Sequence, residues 1–545
     1  MSGVKAMRYW KAILLIAGLV ALNVLSGLVV CRWDMTNDKR YSISEPTKQL
    51  LTSLEAPVEV EVLLDGELNA GFLRLRKATL EMVEELGVYA NVRQVTSDDD
   101  KTPAEEHGLT PTVIHERTHK GQTAQTTVYP YALVHYQDQT AVVVLLKNRR
   151  GLSGEENLNQ SIENLEYAFV EAIRSLTQTE VDRIAFLEGH GELEERDVYD
   201  LTLALAQYYQ IDRGALGNEA GVLDGYKAVI IADPQLPFSE TDKYILDQYV
   251  MQGGRILWVM NGVRFSQEDL SSEGASPIIA MDLNIDDMLF RYGVRVSHCL
   301  VQDLQCLLVP VDVSLDPDQP NWQPLPWTYA PLLLTSPTSP ITHGVGQVSA
   351  SMASAVEMVG GDDGIKKEML LATSSASKLT CAPAKVNLSL GVDDEEAFSN
   401  ALIPVAVSME GRFPSLYAHL LPPEEVIQHA PLLKQSQETK QIVVAAGNTI
   451  QNSWQGGNPL PLGYDRYSQI QFGNRDFMVN AVLYLTDDEG WMQLRQKEFE
   501  LRLINDRRAQ KLRVTAQVVS IVVPLVLLAI VGVAMLGARR KKYMK

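Results

Sequence analysis

An α/β fold anchored in a membrane at both ends follows from three features of the sequence. One uncharged apolar run spans Ala12 to Val30, a second spans Val514 to Ala538, and short apolar strands alternate with amphipathic helices between them. A bilayer core of about 30 Å needs roughly 20 apolar residues in a helix. The two runs have 19 and 25 residues, so both are long enough to cross.

The first run is longer than the h-region of a usual signal peptide and ends Leu28-Val29-Val30-Cys31-Arg32-Trp33, without a small-x-small cleavage site. It reads as a retained anchor. Cys31 follows Val30 rather than a small residue, which argues against a lipoprotein processing site. Lys5, Arg8 and Lys11 precede the first run, and Arg539, Arg540, Lys541, Lys542 and Lys545 follow the second. The positive-inside rule therefore places both termini in the cytoplasm and the long central part outside it. Arg507, Arg508, Lys511 and Arg513 weaken that vote at the second run, but two spans must return the chain to its starting side.

The chain holds 48 Lys and Arg against 68 Asp and Glu. Residues 34–506 keep 35 of the bases and all 68 acids, a net charge of −33. Such a domain repels phosphate backbones and anionic headgroups, which excludes nucleic acid as a partner. Its length calls for two to four domains with sizeable cores.

After the first run, Ser44-Glu45-Pro46-Thr47 is an N-cap with proline in the first turn, opening a short helix through Leu54. Val58 to Val62 alternates apolar and acidic residues as a half-buried strand does. Phe72 to Ala90 places Leu75, Leu80, Val83, Leu86 and Tyr89 on one helical face, and Val92 to Val95 is a second strand. This β-α-β unit has the outline of a thioredoxin-like domain over 34–150, without a Cys-x-x-Cys in its loop and hence without redox exchange. Thr112 to His119, Val128 to Tyr136 and Ala141 to Leu146 read as a closing β meander, and Gly151 to Asn159 as a polar linker.

A helix from Ile162 to Leu176 then leads to strand Arg183 to Leu187, a helix around Val198 to Tyr209, strand Ala228 to Ala232, helix Ser239 to Met251 and strand Arg255 to Val259. That alternation predicts a doubly wound, mostly parallel sheet within a domain over 160–490. Gly253-Gly254 supplies the left-handed stop of a helix end rather than a phosphate loop. Residues 310–343 and 359–367 read as surface excursions, Leu402 to Ser408 and Gln441 to Ala445 as further strands, and Phe477 to Leu485 as a short helix. A charged juxtamembrane helix is expected over 491–513, leading into the final span and basic tail, 514–545.

Two motifs invite a chemical reading. His115-Glu116-Arg117-Thr118-His119 matches the zinc-protease pattern, but that spacing aims two histidines at one metal only on a helix. Here β-branched Thr112-Val113-Ile114 precedes it and Lys120-Gly121 follows, so a strand and turn are expected and the match is read as coincidence. Glu188-Gly189-His190-Gly191-Glu192 follows a strand at the carboxyl edge, where doubly wound folds place ligands. Glu188, His190 and Glu192 are the candidate ligand-binding residues. The alternative is a tight turn in which the glycines serve the backbone and His190 bonds locally, and this is the favoured reading.

No Gly-x-Ser-x-Gly elbow or its cysteine counterpart is present, and no Gly-x-x-x-x-Gly-Lys-Ser/Thr loop exists to make the chain its own ATPase. Among four cysteines, Cys31, Cys299, Cys306 and Cys381, the pair Cys299 and Cys306 is the expected disulfide if one forms. No catalytic residue, metal or cofactor is assigned.

Several motifs in order carry a resemblance: Asp38-Lys39-Arg40-Tyr41-Ser42-Ile43-Ser44 with Thr47-Lys48, Phe72-Leu73-Arg74-Leu75, Gly189-His190-Gly191-Glu192 and Asp247-Gln248-Tyr249-Val250-Met251-Gln252-Gly253-Gly254. They continue with Val301-Gln302-Asp303-Leu304, Pro326-Trp327, Met409-Glu410-Gly411-Arg412-Phe413 and Gly473-Asn474-Arg475-Asp476-Phe477. On these the chain resembles the GldG family of gliding-motility-associated ABC transporter proteins over nearly its whole length. The resemblance implies a non-catalytic auxiliary subunit of a bacterial inner membrane, working with a separate permease and a separate ATPase. The α/β part also looks like the amidotransferase-like domain of ciliary transport proteins, stripped of its nucleophile. One departure bears on the site, because Ile442 to Asn448 lacks the acidic residue that the family pattern puts at the strand end. The competing readings are a degenerate amidotransferase-like hydrolase, a zinc protease, and a structural organiser of the envelope.

Overall fold

The computed structural model describes residues 43–543 apart from 67, 90–91, 96–103, 105–106, 118–122, 147–152, 178–180, 313, 315–320, 361–363, 389–394, 428–430 and 497–505. The expected first span, the second histidine of the His115–His119 motif and most of the charged segment after Gln496 lie outside the described residues. The chain forms two compact units, one ending at Glu498 and one starting at Phe499.

The first elements follow the sequence closely. Helix α1 (Glu45–Thr52) has Ser44 as N-cap and Pro46 in its first turn. Strand β1 (Val58–Val62), helix α2 (Ala70–Tyr89) and strand β2 (Val92–Val95) form the β-α-β unit, with β1 and β2 parallel. Strand β3 (Tyr131–Tyr136) joins β1 antiparallel, and β4 (Gln139–Val144) closes a four-stranded sheet in the order β2-β1-β3-β4. The meander therefore separates into this pair and a two-stranded hairpin of Thr112–Arg117 with Thr123–Val128 that belongs to no larger sheet.

The linker expected over 151–159 is instead helical from Gly154. In α3 (Gly154–Glu163) the Glu156 amide donates to Ser153 Oγ at 3.2 Å, while the Ser153 amide donates to Glu156 Oε2 at 2.8 Å. This capping box overrides the segment's polar composition. Helix α4 (Leu165–Thr177) follows at once, and its two faces enter different cores. Phe169 and Ile173 pack with the small sheet, while Tyr167 and Val170 pack with the large one.

The large sheet has ten strands. Its parallel half contains β5 (Arg183–Leu187), β6 (Gln210–Gly214), β7 (Tyr226–Ala232) and β8 (Ile256–Val259), with α5 (Tyr199–Leu205) and α6 (Glu240–Met251) as crossovers. Side chains alternate between its faces, as a strand period of two requires. Ala228 and Ile230 enter one core with α5, whereas Val229 and Ile231 enter the other with α6. Parallel strands covered on both faces need this unbroken apolar character.

Of the remaining strands, three enter the segments read as surface excursions, 310–343 and 359–367, while the last two contain the expected strands Leu402 to Ser408 and Gln441 to Ala445 in large part. After α7 (Asp286–Tyr292) and β9 (Val294–Asp303) come β10 (Cys306–Asp312), β11 (Trp322–Thr335), β12 (Lys366–Ala372), β13 (Ser377–Cys381), β14 (Pro404–Pro414) and β15 (Gln435–Val444). The sheet order is β10-β11-β12-β14-β15-β8-β7-β5-β6, parallel from β15 to β6 and antiparallel before it, and the tenth strand, Val348–Ser349, pairs with β11 off this path. Pro324 and Pro326 sit in the part of β11 that pairs with β10 alone; the second side is met only from Tyr329 on, first by Met352, Ala350 and Val348–Ser349 and then by β12 at Leu334 and Thr335. A strand side without a ladder tolerates residues that lack an amide hydrogen.

Asp247, fully buried in α6, ties three elements together. It accepts hydrogen bonds from Tyr292 Oη at 2.9 Å, Ser415 Oγ at 2.6 Å, the Leu416 amide at 2.9 Å and Gln248 Nε2 at 3.0 Å. Burial raises its pKa, and the four donors counter that cost. The motif starting at Asp247 thus has a structural role.

Helix α8 (Asn474–Thr486) covers the core beside α5. Asp487 then accepts from the amides of Glu489, Gly490, Trp491 and Met492 at 2.8–3.3 Å, turning the chain into a 3-10 segment, Trp491–Gln496. Asp488 pairs with Lys227 and Arg255, and Trp491 stacks on Tyr167 with ring centroids 5.6 Å apart.

The second unit contains one helix, α9 (Asp506–Tyr543), continuous from its charged start through an apolar stretch, Ser520–Gly537, of mean hydropathy 2.6. It is long and apolar enough to cross a membrane, and Pro524 lies inside it.

The disulfide expectation is corrected. Antiparallel pairing of β9 with β13 sets Cys299 opposite Cys381, and these two are bonded, while Cys306 opens the next strand and is free. Peptide mapping without reduction is expected to recover Cys299 linked to Cys381 and Cys306 as a free thiol; a Cys299–Cys306 peptide contradicts the register. Asp247→Ala, which strands three buried donors, is expected to lower stability by about 3 kcal/mol in denaturant titration.

Candidate functional site

The strand order places a topological switch point between β5 and β7, because β6 lies on one side of β5 and the chain then continues on the other. Ligands of doubly wound sheets bind outside the carboxyl ends at such a point. Three loops meet there: 188–193 after β5, 233–238 after β7 and 260–262 after β8. Their backbones are joined directly. The amides of Gln235 and Leu236 both donate to the His190 carbonyl at 2.8 Å, and the Leu193 amide donates to the Ala232 carbonyl at 2.9 Å. Gly189 at φ 117° and Gly191 at φ 74° provide the reversals that the loop needs.

His190 is buried, with both ring nitrogens occupied. Nδ1 lies 3.1 Å from Glu192 Oε1 and Nε2 lies 3.2 Å from Asp242 Oδ2, while its own amide donates to Glu192 Oε2 at 2.7 Å. Phe238 covers the ring at 3.9 Å between centroids, inclined by 17°. Burial opposes the imidazolium charge, but the hydrogen bonds to Asp242 and Glu192 outweigh it and push the pKa up to about 9. Burial likewise works against the Asp242 carboxylate, and the bonds from His190 and Ser239 hold its pKa below the ordinary aspartate value. At neutral pH His190 is therefore a doubly donating cation held between two carboxylates. Both of its nitrogens are engaged, so a ligand or a proton acceptor role would have to displace one of these carboxylates.

Of the three candidate residues, the fold brings His190 and Glu192 together and sends Glu188 elsewhere. Glu188 is half-exposed and accepts from Arg213 Nε at 2.8 Å. The local bonding expected of the turn is what the geometry contains. Asp242 and Phe238 complete the cluster from 52 and 48 residues further along the chain. Ser239-x-x-Asp242 is legible as the capping box of α6, with Asp242 Oδ2 accepting from Ser239 Oγ at 2.5 Å, but nothing local links it to His190.

A second cluster at the carboxyl edge was not anticipated. Asp233 follows β7 with φ 54°, a left-handed conformation that aspartate adopts more readily than most residues. Asn261 Nδ2 donates to Asp233 Oδ1 at 2.7 Å, and the Gly447 amide donates to Asn261 Oδ1 at 2.9 Å. A Cβ at Gly447 would lie 2.0 Å from Asp233 Oδ1. The bare glycine after β15 thus makes room for a carboxyl reaching across from β7. Burial raises the Asp233 pKa to about 7, against the lowering effect of its bonds to Asn261 and Gln235. A carboxyl whose pKa is raised by burial is a feature shared with functional carboxyls.

The His115–Arg117 part of the protease-like motif lies in an extended strand, so its backbone lacks the helical period that the metal site needs.

A family model described as an ABC-type uncharacterized transport system matches residues 182–481, more than half of the 545 residues. A second, described only as a domain of unknown function, matches 37–135. No curated protein matches. A solved structure titled "mmIFT52 N-terminal domain" aligns over 56% of this chain and 98% of that one, with 15% identity and a TM-score of 0.33, a likeness too loose to settle the fold.

The His190 cluster has a definite pH signature. Its folded pKa lies above the unfolded 6.5, so its stabilisation is complete below pH 6.5 and is lost as the pH rises through about 9. An imidazole titration by NMR is expected to place His190 near that value, and His190→Gln is expected to cost about 2–3 kcal/mol at pH 6 and progressively less above pH 9. Asp233 also has a raised folded pKa, so the proton it holds favours the folded state at low pH and that advantage disappears as pH rises through about 7. Asp233→Asn is therefore expected to match the parent at pH 4 and to exceed its stability by about 1–2 kcal/mol at pH 8; equal stability at both contradicts the assignment.

Proposed function

From the premise that this chain belongs to the ABC-type uncharacterized transport system family, we propose that it is a non-catalytic extracytoplasmic accessory subunit of an ABC transporter. The observation that carries this reading is the sequel to the family's domain. The matched segment ends at 481 within α8, the next residues are pinned to the fold by Asp487, Asp488 and Trp491, and α9 then contains the apolar Ser520–Gly537 stretch. A folded unit joined to a membrane helix in this way stays within reach of a membrane partner.

In the fuller reading, the run from Ala12 to Val30 is a second anchor, both termini are cytoplasmic and the acidic 34–506 part faces the periplasm. The sheet order β2-β1-β3-β4, with its parallel first pair and antiparallel hairpin, supports a thioredoxin-like assignment for the first domain. The ordered motifs from Asp38 to Phe477 favour a GldG-type subunit associated with gliding motility or with the envelope. The separate permease and ATPase supply translocation and nucleotide hydrolysis. Engagement of both ring nitrogens of His190 supports the non-enzymatic assignment, since the best candidate site residue is occupied internally.

The reading predicts that a tagged chain expressed at native level co-purifies with one permease and one P-loop ATPase from mild detergent. Recovery of the chain alone contradicts it. Protease added to spheroplasts is expected to digest 34–506 while a fluorescent protein fused after Lys545 stays intact, and the reverse pattern overturns the topology.

A further inference from the structure

A cavity of about 680 Å³ lies between β4, α4, α8 and the 3-10 segment, away from the carboxyl edge. That volume is in the range of small-molecule sites. Arg495 lines it and is only 6% exposed. Its guanidinium donates to Asn480 Oδ1 and, at 3.4 Å, to the His343 carbonyl, and it lies 5.1 Å from the centre of the Tyr167 ring. Its Nε is buried without a hydrogen-bond partner, and among the described residues the side chain pairs with no carboxylate. The other arginine of the cavity differs, since Arg475 faces Asp200 at 3.5 Å. A buried cation held only by neutral acceptors, beside open space, is the state that an anionic ligand relieves.

The rest of the lining narrows the class of ligand. Val143, Ala168, Ala172 and Leu483 form an apolar wall. Glu171, which accepts from Tyr208 Oη at 2.6 Å, also lines the cavity and repels a second negative charge. We propose that this cavity binds a monocarboxylate with an apolar body, its carboxylate on Arg495 and its body against the β4–α4 wall. The site is independent of the transporter reading and of the His190 cluster.

The test uses the full chain in lipid nanodiscs, with empty nanodiscs as the blank. The probes are 3-phenylpropionate and its uncharged isostere 3-phenylpropan-1-ol, followed by calorimetry and by saturation-transfer NMR. Saturable binding of the carboxylate is expected, with the alcohol at least about tenfold weaker, as befits loss of a charge-assisted bidentate contact. Arg495→Gln is expected to abolish the preference for the carboxylate. Ala168→Leu, which fills the cavity and leaves the guanidinium in place, is expected to abolish binding of both, and it decides the matter if Arg495→Gln lowers the melting temperature. No saturable binding above the blank at about 10 mM, equal affinity for the two probes, or wild-type binding in Ala168→Leu overturns the proposal.

Discussion

Helix α4 is the element on which the larger unit depends, because its 13 residues serve two hydrophobic cores at once. Phe169 and Ile173 close the small sheet, and Tyr167 and Val170 close the large one. An ordinary surface helix buries one stripe and leaves the other wet; this one buries two and leaves a narrow strip at Ala168, Glu171 and Ser175 partly uncovered. Glu166, also buried, accepts from the Ser44 amide and from Thr47 Oγ1, each at 2.8 Å, which ties α1 to the same helix. The final segment of the unit is fastened to it as well. Trp491 stacks on Tyr167, Arg174 lies 4.7 Å from the Trp491 ring centre, and Arg495 covers Tyr167. The point from which the chain departs toward α9 is therefore set where the two cores meet.

The carboxyl edge of the parallel strands has a different character. In a doubly wound sheet it is the natural crevice for a ligand, but here the loops after β5 and β7 bond to one another across it, and His190 is enclosed by Glu192, Asp242 and Phe238. In this arrangement the Gly189–Glu192 loop fastens the ends of two neighbouring strands to each other. Asp233 is the exception, a carboxyl held in a left-handed backbone with a pKa raised toward neutrality. Its space exists because Gly447 has no side chain.

How much of this was legible in the sequence follows from how local each cause is. The parallel strands β5, β7 and β8 were readable because burial on both faces demands continuous apolar runs, and α1 and α6 because serine caps mark their starts. Strand β6 escaped notice since Gln210-Ile211-Asp212-Arg213-Gly214 lies at the sheet edge, where polar residues are favoured. The proline-rich β11 looked like a loop because the one-sided pairing around Pro324 and Pro326 is a tertiary fact. The partner of Cys299 was hidden for the same reason, since only the β9–β13 register brings Cys381 opposite it. In the site, the turn glycines were evident, whereas the carboxylate that completes the His190 clamp comes from a capping residue 52 positions away.

The central claim is that the Trp491–Gln496 segment is locked to the junction of the two cores through α4. Hydrogen exchange on the full chain, comparing the parent with Trp491→Ala, tests it most directly. The account predicts lost protection in Leu165–Thr177 and Asn474–Thr486, with Tyr226–Ala232 and Ile256–Val259 unchanged. Unaltered exchange in Leu165–Thr177 would contradict it.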